Sequence, residues 1–96
     1  GSGPAYVYLF VEALIEGGVA AGLPYATARE AAIQTVRGAA SMMEQTGESP
    51  AQLKARVMSP GGTTVRGLAA LEERGFKYAV IKAVAEATRR AGELTK

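Results

Sequence analysis

A chain of 96 residues makes one small domain that buries only about two-thirds of the surface its unfolded form exposes, so its stability as a single copy is expected to be modest. Hydrophobic residues reach 48% with two Phe, four Tyr and no Trp, which leaves Ala, Val, Leu, Ile and Met to fill a core of closely packed helices. The formal charge of +2 arises from interspersed Lys, Arg and Glu with no basic block, and Cys and His are both missing, which argues against nucleic-acid attraction, disulfides, thiolate metal sites and imidazole bases.

In chain order, Pro and Gly punctuate five helical segments, with Pro near the start of several and Gly at the end of most. The first runs from about Pro4 to Ala21, capped by Ser2 or Gly3 and stopped by Gly22. Val7, Phe10, Val11, Leu14 and Ile15 share one face of it by three- and four-residue spacing. Gly17-Gly18 is expected to weaken or kink it near its end. The second starts around Pro24, carries Ala28, Ala31, Ala32, Thr35, Val36, Ala39, Met42 and Met43, and stops before Gly47. A helix apolar over so wide an arc lies between other helices, and in a chain this small some of those come from a partner subunit.

The third segment is short, Ser49 to about Val57, opened by the Ser-Pro pair and anchored by Leu53 and Val57. The loop Met58-Ser59-Pro60-Gly61-Gly62 follows. The fourth segment begins at Thr63 or Thr64 and carries Val65, Leu68, Ala69 and Leu71 before Gly75. The fifth, about Phe76 to Leu94, sets Ala79, Val80, Ala83, Val84 and Ala87 on one side and Lys77, Lys82, Glu86, Arg89 and Arg90 mostly around the other. No alternation survives long enough to argue for a strand. The expected fold is therefore all-α. No apolar stretch approaches the roughly 20 residues of a spanning helix, so a soluble, cytoplasmic protein without membrane contact is expected. The opening Gly1-Ser2-Gly3, with no initiating Met, suggests a fragment of something longer.

Ser59-Pro60-Gly61-Gly62-Thr63-Thr64 is the stretch richest in chemistry. It joins a rigid Pro, two residues free to take positive φ and two hydroxyls at a helix start, where free amides and the helix dipole hold a carboxylate or phosphate. An ordinary capped turn between two helices accounts for the same residues. Other patterns carry less. Gly1-Ser2-Gly3 begins like a dinucleotide fingerprint, but Tyr6 takes the third glycine's place and no strand precedes it. Gly17 to Gly22 has the gap of a phosphate loop, yet Leu23-Pro24 follows where Lys and Ser or Thr are required. Met42-Met43 and Tyr6, Tyr8 and Phe10 read as packing, Glu72-Glu73-Arg74 and Arg89-Arg90 as solvated faces, and Glu12 with Glu16 as two acids on one helix face without a catalytic role.

Taken together, Gly1-Ser2-Gly3-Pro4-Ala5-Tyr6, Gly22-Leu23-Pro24, Gly47-Glu48-Ser49-Pro50 to Val57, Ser59-Pro60-Gly61-Gly62-Thr63-Thr64 before Gly67-Leu68 and Leu71-Glu72, and Gly75-Phe76-Lys77 resemble pyrroline-5-carboxylate reductase over nearly the whole chain. The resemblance implies the C-terminal helical domain, residues 1–96, of an enzyme that reduces 1-pyrroline-5-carboxylate to proline with NADPH or NADH held by an absent N-terminal Rossmann domain. No cofactor is expected on this chain, and alone it is expected to be inactive. The family's turn holds the substrate carboxylate with backbone amides, which carries over to Ser59, Gly61, Gly62 and Thr63. Thr64 offers its hydroxyl to the ring nitrogen, the one catalytic assignment. The family also implies an intertwined homodimer and further assembly into rings of dimers. Ala55 stands where relatives usually carry an acid and Ser49 where many carry His, so caps and charge pairing on the third helix differ from the family's. A purely oligomeric helical module, its Pro-Gly-Gly-Thr-Thr loop serving as a cap, is the competing reading.

Overall fold

The computed structural model describes residues 1–95; Lys96, the last residue of the expected domain, lies outside them. Five helices and no strand are present among the described residues: α1 (Gly3–Ala20), α2 (Tyr25–Thr46), α3 (Pro50–Arg56), α4 (Thr63–Glu73) and α5 (Phe76–Leu94). They fall into two compact units, Gly1–Pro50 and Ala51–Lys96.

The first unit is a hairpin of α1 and α2. Ser2 precedes α1 with helical angles and makes no side-chain cap, so the chain enters this helix through Pro4 and not through a hydroxyl cap. Helix α1 continues without a break through Gly17-Gly18, the place expected to weaken or kink it. A Cβ at Gly18 would sit 3.0 Å from the Ala28 Cβ: glycine there is what lets α1 approach α2. The end of α1 is a Schellman motif, with Leu23 N–H donating to the Gly18 carbonyl and Gly22 N–H to that of Val19, both at 3.0 Å, and Gly22 at φ +112. The hairpin interface thus follows from small residues: Ala28 and Ala32 are fully buried, at 3% and 5% exposure. Tyr6, Phe10, Val11, Leu14 and Ile15 of α1 and Ile33 and Val36 of α2 are only half-buried. Tyr6 and Ile33 join the expected apolar faces, whereas Ala31, Ala39, Met42 and Met43 of the broad α2 arc stay exposed.

In the second unit α4 packs against α5, and Val65 and Leu68 of α4 and Ala83 and Ala87 of α5 are half-buried. Arg74 donates to the Ala70 carbonyl and Gly75, in the left-handed region at φ +72, reverses the chain between them. On helix α3 Leu53 is half-buried. Val57, expected as a second anchor, is 65% exposed, because the helix stops at Arg56 and residue 57 already belongs to a turn.

Among the described residues only Ala28 and Ala32 are fully buried. The chain exposes 7653 Å², whereas even two separate globules of half its mass would together expose about 6,300 Å². Large aliphatic and aromatic side chains are among the exposed residues, Leu9 at 66% and Tyr8 and Tyr78 at 69%. Exposed apolar side chains that adjoin one another are the kind of surface that marks an interaction site.

Candidate functional site

The segment between α3 and α4 is built by its own backbone. Gly62 N–H donates to the Ser59 carbonyl at 2.9 Å, closing a four-residue turn with Pro60 second and Gly61 third. Pro60 supplies the fixed φ of the second position, and Gly61 takes φ +71, as a type II turn requires at the third. Gly62 follows in extended backbone (φ −79, ψ 172) and α4 starts at Thr63. The first intrahelical bond of α4 runs from Arg66 N–H to the Gly62 carbonyl at 3.3 Å. By helix geometry the amides of Thr63, Thr64 and Val65 therefore precede any intrahelical acceptor and point out of the helix end. No side chain caps this end.

The donor set consequently differs from the expected one. Gly62, expected to offer its amide to a ligand, spends it on Ser59; Thr64 and Val65 contribute amides that motif reasoning did not assign. The signal for them was the helix start at Thr63, which makes Thr63, Thr64 and Val65 its first three positions. Gly62 is required for a different reason, since a Cβ there would lie 2.6 Å from Ser59 Oγ and 3.1 Å from the Ser59 carbonyl oxygen. Ser59, Gly61 and Thr63 are exposed, while Gly62 and Thr64 are half-buried. All five expected binding residues thus occupy one continuous turn and helix start. A positive helix end with outward N–H groups is chemically suited to a small anion. The dipole and the Thr63 and Thr64 hydroxyls are the polar equipment of this face.

The glycine clusters do not fit a dinucleotide. Gly3 begins α1 with no strand before it, and Gly17 and Gly18 lie inside α1 with their carbonyls used at its C-terminus. No phosphate cradle exists there, and no step of chemistry is routed through a nicotinamide bound to these residues. Among the described residues no three His, Cys, Asp or Glu side chains group as metal ligands, and no helix is long and apolar enough to cross a membrane. Two surface grooves, of about 440 and 330 Å³, lie on the α1–α2 hairpin, and no loop residue lines either. Glu48 is half-buried and Ser49 exposed, just before α3, and both have interaction partners. Ala55 is exposed on α3 and brings no charge to it.

Residues 1–94 match the family described as pyrroline-5-carboxylate reductase dimerisation. The pyrroline-5-carboxylate reductase of Synechocystis sp. is 57% identical over 96 residues, covering 100% of this chain and 36% of the relative. That of Glycine max is 57% identical over 95 residues, covering 99% and 35%. Among solved structures, a pyrroline-5-carboxylate reductase from Coxiella burnetii superposes with a TM-score of 0.95 at 46% identity, over 100% of this chain and 36% of the other. A Plasmodium falciparum pyrroline carboxylate reductase with NADP bound gives 0.87 at 45% identity, over 91% and 36%. The chain spans about a third of the length of the curated relatives it matches.

Proposed function

The chain belongs to the pyrroline-5-carboxylate reductase dimerisation family, and from that membership we propose that residues 1–96 act as one dimerisation and substrate-binding domain of an enzyme reducing 1-pyrroline-5-carboxylate to L-proline with NADPH or NADH. The nicotinamide is assigned to a part of the enzyme outside this chain, in keeping with the poor fit of the glycine clusters. This chain's share is to hold the substrate. The amides of Thr63, Thr64 and Val65, with the α4 dipole behind them, receive the ring carboxylate, while Ser59 and Gly61 shape the turn that leaves its approach open. The half-buried Thr64 hydroxyl meets the ring nitrogen, and two points of attachment fix the ring's orientation against a separately bound cofactor. The observation that carries this reading is the type II turn feeding α4, whose first three amides are left without an intrahelical acceptor. An active site also needs walls that exclude water, and the exposure of Ser59 and Thr63 assigns those walls to other parts of the assembled enzyme.

The partner is a second copy, forming a homodimer, with rings of dimers as the higher assembly and the cytoplasm as the compartment. Support for the dimer lies in the surface surplus and the near absence of buried residues. The same surplus suits a non-catalytic oligomerisation module, so one titration separates the two. L-Proline added to the purified chain in a calorimeter is expected to bind, weakly, and Thr64→Val to abolish the heat while preserving helicity. If the parent chain gives no heat while remaining oligomeric, the substrate-binding role fails and the assembly module stands.

A further inference from the structure

Charge is unevenly placed along the chain. Between Glu48 and Glu72 stand Lys54, Arg56 and Arg66 and no acid, whereas the rest of the chain has eight cations against nine acids. These three cations flank the turn that feeds α4. Lys54 and Arg56 lie in the last turn of α3, where the negative helix end favours a cation, so their placement has a local cause. Arg66 has none. It is the fourth residue of α4, whose first turn holds no acid, and the positive end of a helix disfavours a cation. Arg66 is exposed, and among the described residues it makes no ion pair.

We propose that Arg66, backed by Lys54 and Arg56, is a specificity-determining residue that draws ring carboxylates of net negative charge to the α4 amides and favours them over neutral zwitterions. The inference rests on the substrate-binding reading above and adds to it a choice of ligand charge. Geometry puts the cation close. The Arg66 N–H donates to the Gly62 carbonyl at 3.3 Å, and i,i+3 neighbours on a helix stand about 5–6 Å apart at Cβ, which sets Arg66 beside Thr63. Helical side chains lean toward the N-terminus of their helix, so the guanidinium is carried toward the turn. Arg56 precedes Ser59 by three residues, at most about 11 Å of chain, which is about one Debye length at 0.1 M salt. The field of these groups acts on the net charge of what approaches. 1-Pyrroline-5-carboxylate with its imine nitrogen unprotonated carries one negative charge, whereas L-proline, protonated at its more basic amine, is neutral overall. A positive turn thus attracts that form of the substrate more than the product.

Calorimetric titration of the purified chain tests this with two ligands of one shape: L-proline, and tetrahydrofuran-2-carboxylate, in which an ether oxygen replaces the protonated nitrogen and leaves a single negative charge. Raising salt from about 0.01 to about 0.1 M is expected to weaken the oxygen-ring acid and to change proline little. Competition by chloride for the amides would weaken both alike, so the difference between the ligands isolates the field. Arg66→Gln is expected to weaken the acid by about two- to fourfold at low salt, the size of one charge acting through water at this range. Arg66→Lys keeps the charge and is expected to keep the affinity, and neither variant shifts proline. Equal salt dependence of the two ligands on the parent chain, which needs no variant, overturns the charge selection and leaves the carboxylate site standing. Equal losses of both ligands in Arg66→Gln do the same, because a structural role for Arg66 would move them together. No heat from either ligand overturns the carboxylate site itself, and this inference with it.

Discussion

Gly61 and Gly62 are adjacent and required for unrelated reasons, which substitutions separate. Gly61 sits at φ +71 with open space where a Cβ would go, so Gly61→Ala costs about 1–2 kcal/mol of backbone strain. Gly61→Asn costs less, because Asn enters the left-handed region more readily. Gly62 has an ordinary φ but no room. Gly62→Ala presses on both oxygens of Ser59 and is expected to lower stability by about 1–3 kcal/mol, read from the urea midpoint. Adding Ser59→Ala removes the nearer oxygen and recovers part of that loss; an unshifted midpoint in Gly62→Ala would contradict the turn described. The motif was readable at this scale because Pro, positive-φ Gly and helix-start Thr each have one dominant backbone use. The fate of the Gly62 amide was not readable, since whether an N–H points outward or closes a turn depends on torsions that no residue type specifies by itself.

Helices were the most legible features, for a local reason: Gly22, Gly47 and Gly75 all take positive φ at helix ends or between helices, which is where glycine is least costly. What sequence spacing did not show at Gly17-Gly18 was the tertiary role of Gly18, whose missing Cβ leaves room for Ala28. Gly18→Leu should therefore force α1 away from Ala28 and destabilise the hairpin by about 1–3 kcal/mol, measured by thermal unfolding, while Gly17→Ala, with nothing within 4 Å of the added methyl, should leave stability equal or slightly raised. Equal losses at the two positions would refute the close crossing. The α5 ion pairs are i,i+3 and i,i+4 contacts between side chains 44–66% exposed. Each contributes no more than about 0.5 kcal/mol. Glu86→Gln is thus expected to shift the unfolding midpoint slightly, and less in high salt; a large, salt-independent loss would mean that this face is not solvated.

The whole molecule is defined by what its own helices leave uncovered. Two buried alanines do little to offset the conformational entropy of ordering a chain this long, and the proposed second copy is what would supply further burial. The wide apolar arc of α2 made the need for a partner legible from spacing alone, and family membership over residues 1–94 agrees with it. Which surfaces meet was hidden, because an exposed apolar face looks the same in sequence whether its partner is the same chain or another. Sedimentation equilibrium across a dilution series, paired with urea unfolding at each concentration, bears most directly on this. The chain of 9.9 kDa is expected to sediment at about twice its mass, with an unfolding midpoint that falls on dilution as mass action requires. A folded single-chain species, unfolding cooperatively at a midpoint independent of concentration, would contradict the account.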